Sequence, residues 1–470
     1  MDLHLSLDPQ LPIAQQVFEQ IQDAVLGGRL TAGAALPSSR ALAESLGVSR
    51  NTVTTALDHL IAEGYLEARP GVGTFVSTAV RPRTAPLAVP SALHSRPWWE
   101  AESWGIPPSL MRSFDYDFRP GLPDPSSFPF PTWRRLVTRA IRRSAEDGRY
   151  ADPQGLEALR ASIARHLAVS RGLRVGPEHV IVTNGVQQAV SLLSAVLVGP
   201  GDVVAVEDPG YPPARRAMES TGARVVGVPV DGEGLVVDRL PSEARFVYVT
   251  PAHQFPLGVR MSLRRRLALL DWAGRHDAAV VEDDYDSDFR YRGRPIETLH
   301  SLDSSGRVVY VGSFSKTMLP SLRLGYCVAP PGLVGPLTRA RFVVDWHGPR
   351  LLQAALAEFI DEGRLAAHIR RMRRVYQGRR DRIAVALDRD FSDVLTRIPS
   401  VAGLHLAAWT SSEDLDVDRW VRRAAELGVA VSTIQDLAMA RTRPGLVFGY
   451  GAIPDDVVDA GLRVLRTALL

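Results

Sequence analysis

The chain has 470 residues, 45% of them hydrophobic and 23% charged, with a net charge of +3. That length accommodates two to four domains at roughly 150 residues each, and the composition is that of a chain able to bury large cores. The small net charge excludes a global polyanion binder, so any nucleic-acid contact must be local, and the single cysteine, Cys327, excludes an intramolecular disulfide or a cysteine metal cluster.

In chain order, residues 1–78 read as three helices and a short hairpin. The first helix spans about Ile13–Leu26, with Val17, Ile21 and Ala24/Val25 on one face. Leu36-Pro37-Ser38-Ser39-Arg40 opens a second helix capped by Ser38. Gly47-Val48-Ser49 turns into a third, from Arg50 to about Glu63, capped by Ser49 and stopped by Gly64. Its apolar stripe is Val53, Leu57, Leu60 and Ile61. Tyr65–Arg69 and Thr74–Val76 then flank Pro70-Gly71-Val72-Gly73, which predicts a two-stranded wing with a glycine-rich tip. This is the pattern of a winged helix-turn-helix. Its third helix begins Ser-Arg-Asn-Thr, so donors and a helix N-terminus face duplex DNA together.

Residues 79–115 contain Pro82, Pro86, Pro90, Pro97, Pro107 and Pro108, which break any periodicity and predict a partly extended linker. Trp98, Trp99 and Trp104 predict that its far end docks onto a surface. From about 116, helical segments alternate with apolar β-rich runs: Val180–Thr183, Val203–Glu207, Arg224–Val228, Phe246–Thr250, Ala279–Glu282, Val308–Gly312 and Gly325–Val328. Strand alternating with helix means a mostly parallel, doubly wound α/β sheet. Cys327 falls within the last run and reads as core. From about 350 to 470 the pattern turns helical and then yields short strands near Gly403–Ala408 and Leu446–Tyr450, a smaller C-terminal α+β subdomain.

Of the 55 basic residues, one is a lysine, Lys316, in Gly312-Ser313-Phe314-Ser315-Lys316; the rest are arginine. Arginine replaces lysine in most ion pairs but not where a deprotonated amine must act. An ε-amine attacks a carbonyl to form a Schiff base, and a guanidinium does not. Lys316 is therefore the candidate covalent residue. Around it lie the other needs of a pyridoxal 5'-phosphate site: an acid to keep the ring nitrogen protonated and an anion site for phosphate. Asp283, in Val281-Glu282-Asp283-Asp284-Tyr285 at the end of an apolar run, is the candidate acid, and Tyr285 is placed to hydrogen-bond the ring hydroxyl. Metal ligation by Glu282, Asp283, Asp284 and Asp286 is the alternative for that cluster. Thr183-Asn184-Gly185-Val186-Gln187-Gln188 follows a strand and opens a helix, whose N-terminal amides suit phosphate. Ser313, Ser315 and Arg323 add donors beside the amine. Tyr211, after Glu207-Asp208-Pro209-Gly210, is placed to stack on the ring. His253 either lines the pocket or caps a strand.

Leu36–Val76 resembles the GntR family of bacterial regulators in order and spacing. The resemblance implies Arg40, Arg50, Asn51, Thr52, Gly71 and Gly73 as DNA contacts, and Thr54 stands where that family usually has arginine. From about Asp117 to Leu470 the motifs resemble the fold-type I aminotransferases. That resemblance implies Lys316 as the cofactor-binding lysine, Asp283 at the ring nitrogen, Tyr285 at the ring hydroxyl and Tyr211 stacked on the ring. It also implies Val186, Gln187, Ser313, Ser315 and Arg323 at the phosphate. Two features depart from the enzymes. The His253-Gln254-Phe255-Pro256 version of a conserved loop resembles the MocR subfamily instead. Val447 falls where aminotransferases carry an arginine that grips the substrate α-carboxylate, with Arg441 and Arg443 close by.

Together the halves resemble the MocR family: a winged helix-turn-helix (1–78), a linker (79–115) and an aminotransferase-like effector domain (116–470). The resemblance implies a head-to-tail, domain-swapped homodimer with its cofactor site at the subunit interface. It implies double-stranded operator DNA and a small-molecule effector as partners. The effector is pyridoxal 5'-phosphate itself, with control of vitamin B6 synthesis, or an amino compound that reacts with the lysine-bound cofactor. The large domain is then a sensor with at most residual half-transamination; an active aminotransferase with an appended DNA-binding domain is the alternative. No apolar run reaches the ~18–20 residues that span a bilayer, and Met1-Asp2-Leu3-His4 lacks the basic and apolar regions of a signal peptide. The expected location is the cytoplasm, with no membrane partner.

Overall fold

A computed structural model describes residues 5–81, 97–100, 112–144, 148–293 and 297–469. The chain divides into two compact units, Met1–Trp104 and Gly105–Leu470.

In the first unit, α1 (Ile13–Leu26), α2 (Ser39–Leu46) and α3 (Arg50–Ala62) pack around one core, and β1 (Leu66–Arg69) pairs antiparallel with β2 (Gly73–Val76). The periodic faces read from the sequence are the buried ones. Val17, Ile21, Ala24 and Val25 of α1 meet Val53, Leu57 and Leu60 of α3 in the same cluster. Ile61 is only half-buried, and Ala56 completes the α3 face instead. Both serine caps form. Ser38 Oγ accepts from Ala41 N at 3.2 Å, and Ser49 Oγ from Thr52 N at 3.1 Å, each satisfying a donor the helix start leaves over. Of the predicted linker, 82–96 and 101–111 lie outside the described residues, and Trp104 with them. Pro97–Glu100 form one helical turn, in which Trp98 and Trp99 meet edge to face with centroids 4.6 Å apart.

The second unit begins with β3 (Tyr116–Asp117) and is built on an eight-stranded sheet. Its strands are β4 (Val180–Thr183), β5 (Val203–Asp208), β6 (Arg224–Asp231), β7 (Gly234–Leu235), β8 (Ala244–Val249), β9 (Ala279–Asp284), β10 (Val308–Ser313) and β11 (Gly325–Val328). The order is β4-β11-β10-β9-β8-β5-β6-β7. The pairings β10–β9, β9–β8, β8–β5 and β5–β6 are parallel, whereas β11 runs antiparallel to both its neighbours and β7 antiparallel to β6. The parallel strands are continuous apolar runs because helices cover both faces. On one face Val204, Val206, Phe246, Tyr248 and Val309 pack with the helices Val186–Leu197 and Pro212–Glu219, and Cys327 is buried in this layer. On the other, Ala205, Val247, Val249 and Val280 pack with Leu269, Trp272 and Ala273 of the helix Leu263–Arg275.

The C-terminal part adds the long helix Arg364–Asp390 and an antiparallel sheet of β12 (Leu395–Arg397), β13 (His405–Thr410), β15 (Ser432–Thr433) and β16 (Gly445–Gly449), in the order β12-β13-β16-β15. β14 (Val429–Ala430) pairs parallel with β3, so the segment that opens the unit is stitched to its last part. Among the described residues, no helix is long and apolar enough to cross a membrane.

Candidate functional site

Parallel strands leave their C-terminal ends and following loops on one edge of the sheet, where open α/β folds bind ligands. The loops after β4, β5, β8, β9 and β10 meet there around a cleft of about 900 Å³ that is open to solvent. Val186, Gln187, Tyr211, Asp283, Tyr285, Ser313, Ser315, Lys316 and Arg323 all line it. Residues spread over 138 positions of sequence are thus brought together, from Val186 to Arg323.

Asp283 sits near the end of β9, 3% exposed. Tyr248 Oη donates to its Oδ2, and its Oδ1 has no partner. Burial pushes this carboxyl up to about 7, against the opposing Tyr248 hydrogen bond. A buried acceptor without a donor is costly, and Oδ1 is the kind of atom that a pyridinium N–H satisfies. Lys316 Nζ donates to the Gly121 carbonyl at 2.7 Å. Burial pushes the amine below the ordinary lysine range, with Asp286 and Asp283 pulling the other way. A lowered amine is more often neutral, hence nucleophilic.

The anion end is built on the helix Val186–Leu197, whose N-terminus carries no side-chain cap. Arg323, in left-handed conformation at φ +50°, turns its guanidinium to this end and donates to the Asn184 carbonyl at 2.6 Å. Gly185 makes the approach possible: its φ is +86°, and a Cβ there would stand 3.3 Å from two guanidinium nitrogens. Ser313 Oγ accepts from Ser315 N at 3.0 Å, closing the loop after β10 beside the lysine. Gln187 Oε1 is buried without a partner. A lysine, an arginine and a free helix N-terminus as donors, with an orphaned buried carboxylate oxygen as acceptor, are what pyridoxal 5'-phosphate requires, so the residues present fit that group.

Other residues stand differently from expectation. His253 does not line the cleft. It is buried, with Nδ1 3.1 Å from Asp286 Oδ2 and Nε2 3.1 Å from Ser400 Oγ. Tyr285 lines the cleft, but its hydroxyl donates to the His253 carbonyl at 2.8 Å. Tyr211 meets Phe255 edge to face at 5.8 Å. Glu282 and Asp284 do not join Asp283, because alternate strand residues face opposite ways. Glu282 accepts from Leu299 N and His300 N at 3.0 Å, and Asp284 pairs with Arg171 at 2.6 Å, both away from Asp283. Val447 is fully buried with Leu257 and Ala407, off the cleft wall. Arg443 is committed to the Thr410 carbonyl at 2.6 Å, and neither it nor Arg441 lines the cleft. Among the described residues, Lys316 and Arg323 are the only lysine or arginine in the wall.

Sequence reasoning assigned no place in the wall to Gly121, Phe255, Leu404 and His405, and it named Asp286 only as a metal ligand; all five line the cleft. His405 begins β13, where alternation marks a strand but not which residue meets a distant loop. Its ring donates Nε2–H to the Pro256 carbonyl at 3.0 Å, and burial holds it well below the ordinary histidine value, so it is neutral.

In the first unit, Arg40, Arg50, Asn51, Gly71 and Gly73 are exposed and Thr52 half-buried. Arg50 Nε donates to Ser39 Oγ at 3.3 Å, tying the start of α3 to that of α2. Thr54 Oγ1 donates back to the Arg50 carbonyl at 2.9 Å.

Residues 13–76 match the family described as bacterial regulatory proteins, gntR family, and residues 122–440 match aminotransferase class I and II. The chain is 40% identical over 480 residues to the probable rhizopine catabolism regulatory protein MocR of Rhizobium meliloti, spanning 100% of this chain and 96% of that one. It is 35% identical over 460 residues to the HTH-type pyridoxine biosynthesis transcriptional regulator PdxR of Corynebacterium glutamicum, spanning 97% and 96%. Among solved structures, kynurenine aminotransferase of Pyrococcus horikoshii superposes with a TM-score of 0.71 at 27% identity, over 77% of this chain and 91% of that one. By both matched regions and by its full-length relatives, the chain belongs to the MocR family of GntR-type regulators, a winged helix-turn-helix joined to a fold-type I aminotransferase domain.

Proposed function

We propose that the protein is a DNA-binding transcription regulator whose aminotransferase-like unit, residues 116–470, binds pyridoxal 5'-phosphate and uses it to sense. The observation that carries this is the cleft that brings together the buried amine of Lys316 and the partnerless Oδ1 of buried Asp283. When bound, the cofactor supplies an aldehyde for covalent attachment and a ring that withdraws electrons. The chain does the rest. Lys316 is the covalent anchor, Asp283 holds the ring-nitrogen proton, and Tyr211 covers a ring face. Val186, Gln187, Ser313, Ser315 and Arg323 hold the phosphate, and Tyr285 reaches the ring hydroxyl once it leaves the His253 carbonyl. Arg40, Arg50, Asn51, Thr52, Gly71 and Gly73 contact operator DNA.

Pyridoxal 5'-phosphate itself is the favoured effector. A wall without a second guanidinium offers no bidentate grip for an α-carboxylate, and Val447 stands where that grip is expected. The name of the Corynebacterium relative, a pyridoxine biosynthesis regulator, supports the same reading. An amine without a carboxylate is the second candidate. The same wall argues for a sensor over a completing aminotransferase. A homodimer is supported by the exposed apolar cluster Tyr150, Phe342, Val343, Val344 and Trp346, in which Tyr150 and Trp346 stack at 4.2 Å. Patches of this kind mark protein interfaces, and a second copy, head to tail, is the occupant proposed.

Titration of cofactor-free protein with pyridoxal 5'-phosphate, followed by borohydride reduction and peptide mass analysis, tests the site. Label on Lys316 together with a change in retardation of operator DNA is the expected result. Label on the N-terminal amine alone, or none, refutes it.

A further inference from the structure

We propose that the Gly121 carbonyl reads the state of the Lys316 amine and passes it to the segment through which the chain enters the large unit. This deepens the regulatory reading above and rests on it. Three observations support the assignment.

The first is the contact itself. Lys316 Nζ donates to Gly121 O at 2.7 Å, and a Cβ on residue 121 would lie 2.9 Å from that nitrogen at a φ of +85°. Only glycine brings its backbone this close. The second is chemistry. Condensation of a primary amine with an aldehyde forms a C=N bond, and the two amine hydrogens leave with the carbonyl oxygen as water. A nitrogen so committed no longer has the amine hydrogens that bind Gly121, and the Gly121 carbonyl loses that donor. The third is what else holds this segment. Phe118 N donates to the Ala430 carbonyl at 2.8 Å, and Gly449 N to the Phe118 carbonyl at 2.7 Å. Asp124 N donates to Tyr376 Oη at 2.9 Å, and Arg379 bridges Asp124 and the Gly451 carbonyl at 2.7 Å each. Residues 116–124 are thus fastened at both ends to the C-terminal part and touch the reactive lysine at the middle. In sequence they follow directly on the proline-rich stretch that leads from the winged helix unit. A strap fixed at both ends, with a middle contact that condensation removes, is the element that a switch at this site would move.

Hydrogen–deuterium exchange of full-length protein tests this, with borohydride labelling run in parallel. Wild-type amides in 116–124 should exchange about threefold faster or more when pyridoxal 5'-phosphate is present. Cofactor-free Lys316→Ala, which lacks the donor, should show the fast exchange already, with no further change on adding the aldehyde. Labelled wild type with unchanged exchange overturns the inference and leaves the cofactor site standing. Slow exchange in cofactor-free Lys316→Ala overturns it whatever the label. A wild type that takes no label at Lys316 overturns the cofactor reading and this inference together.

Discussion

Lys316 shows what a single residue can announce. Among 55 basic residues it is the one lysine, and arginine cannot replace an amine where a Schiff base must form, which makes it the candidate covalent residue. Because burial lowers its pKa, the rate of labelling by pyridoxal 5'-phosphate should rise with pH along a titration whose midpoint lies below that of ordinary lysine. Rapid-mixing absorbance in a pH series measures it, and a midpoint at or above the ordinary value contradicts the assignment. Asp283 gives a prediction of opposite kind. Its carboxyl is raised from 3.8 to about 7, so between those values the folded chain holds a proton that the unfolded chain has released. Its contribution is therefore lost as pH rises from about 4 to 7. Asp283→Asn should stabilise the cofactor-free protein at pH 8 by on the order of 1–3 kcal/mol, an advantage that disappears below about pH 4. The same change should weaken cofactor binding about 10- to 100-fold, since the charge opposite the ring nitrogen is gone. Denaturant melts at several pH values and a binding titration separate the two effects.

At the scale of elements, the helix starts of the two units differ in their caps. The helix Val186–Leu197 offers uncapped amides to an anion, whereas α3 is capped by Ser49 and so presents side chains instead. Arg50→Ala should weaken operator binding strongly, read by gel retardation, with little change in stability because the side chain is exposed. Thr54 spends its hydroxyl on its own helix, bonding the Arg50 carbonyl. Thr54→Arg should raise affinity for duplex DNA and steepen its salt dependence by about one unit of log–log slope, as one added phosphate contact predicts. The longer strands were legible from composition and length, whereas the two- and three-residue strands β3, β7, β12, β14 and β15 were not. Nor were the ends of the longer ones: β5 and β9 run on through Asp208 and Asp284, because pairing with neighbouring strands carries polar residues into the sheet.

For the whole molecule, the first unit has its own core, which among the described residues runs from Val17 to Val76. A fragment of residues 1–81 should therefore fold cooperatively, which thermal circular dichroism reports. The apolar cluster of the large unit bears on assembly. Val343 is 81% exposed, so Val343→Asp should leave the fold intact yet shift sedimentation toward the monomer. A variant that remains fully dimeric would place the interface elsewhere.

The sequence by itself determined the order of modules and singled out Lys316, Asp283 and the Thr183–Gln188 loop as candidates, because each is written locally: a lone lysine, a strand end, a strand followed by a glycine turn. The cleft residues read from the sequence, Val186 to Arg323, are brought to one place by strands whose ends align. Tertiary structure alone decided what no local pattern encodes. It placed His253 behind the wall and His405 in it, turned Glu282 and Asp284 away from Asp283, and set the Gly121 carbonyl against Lys316 from 195 residues away. Those outcomes depend on which distant backbone reaches a given point. Periodicity reveals the face a side chain occupies, but packing chooses the neighbour it meets there.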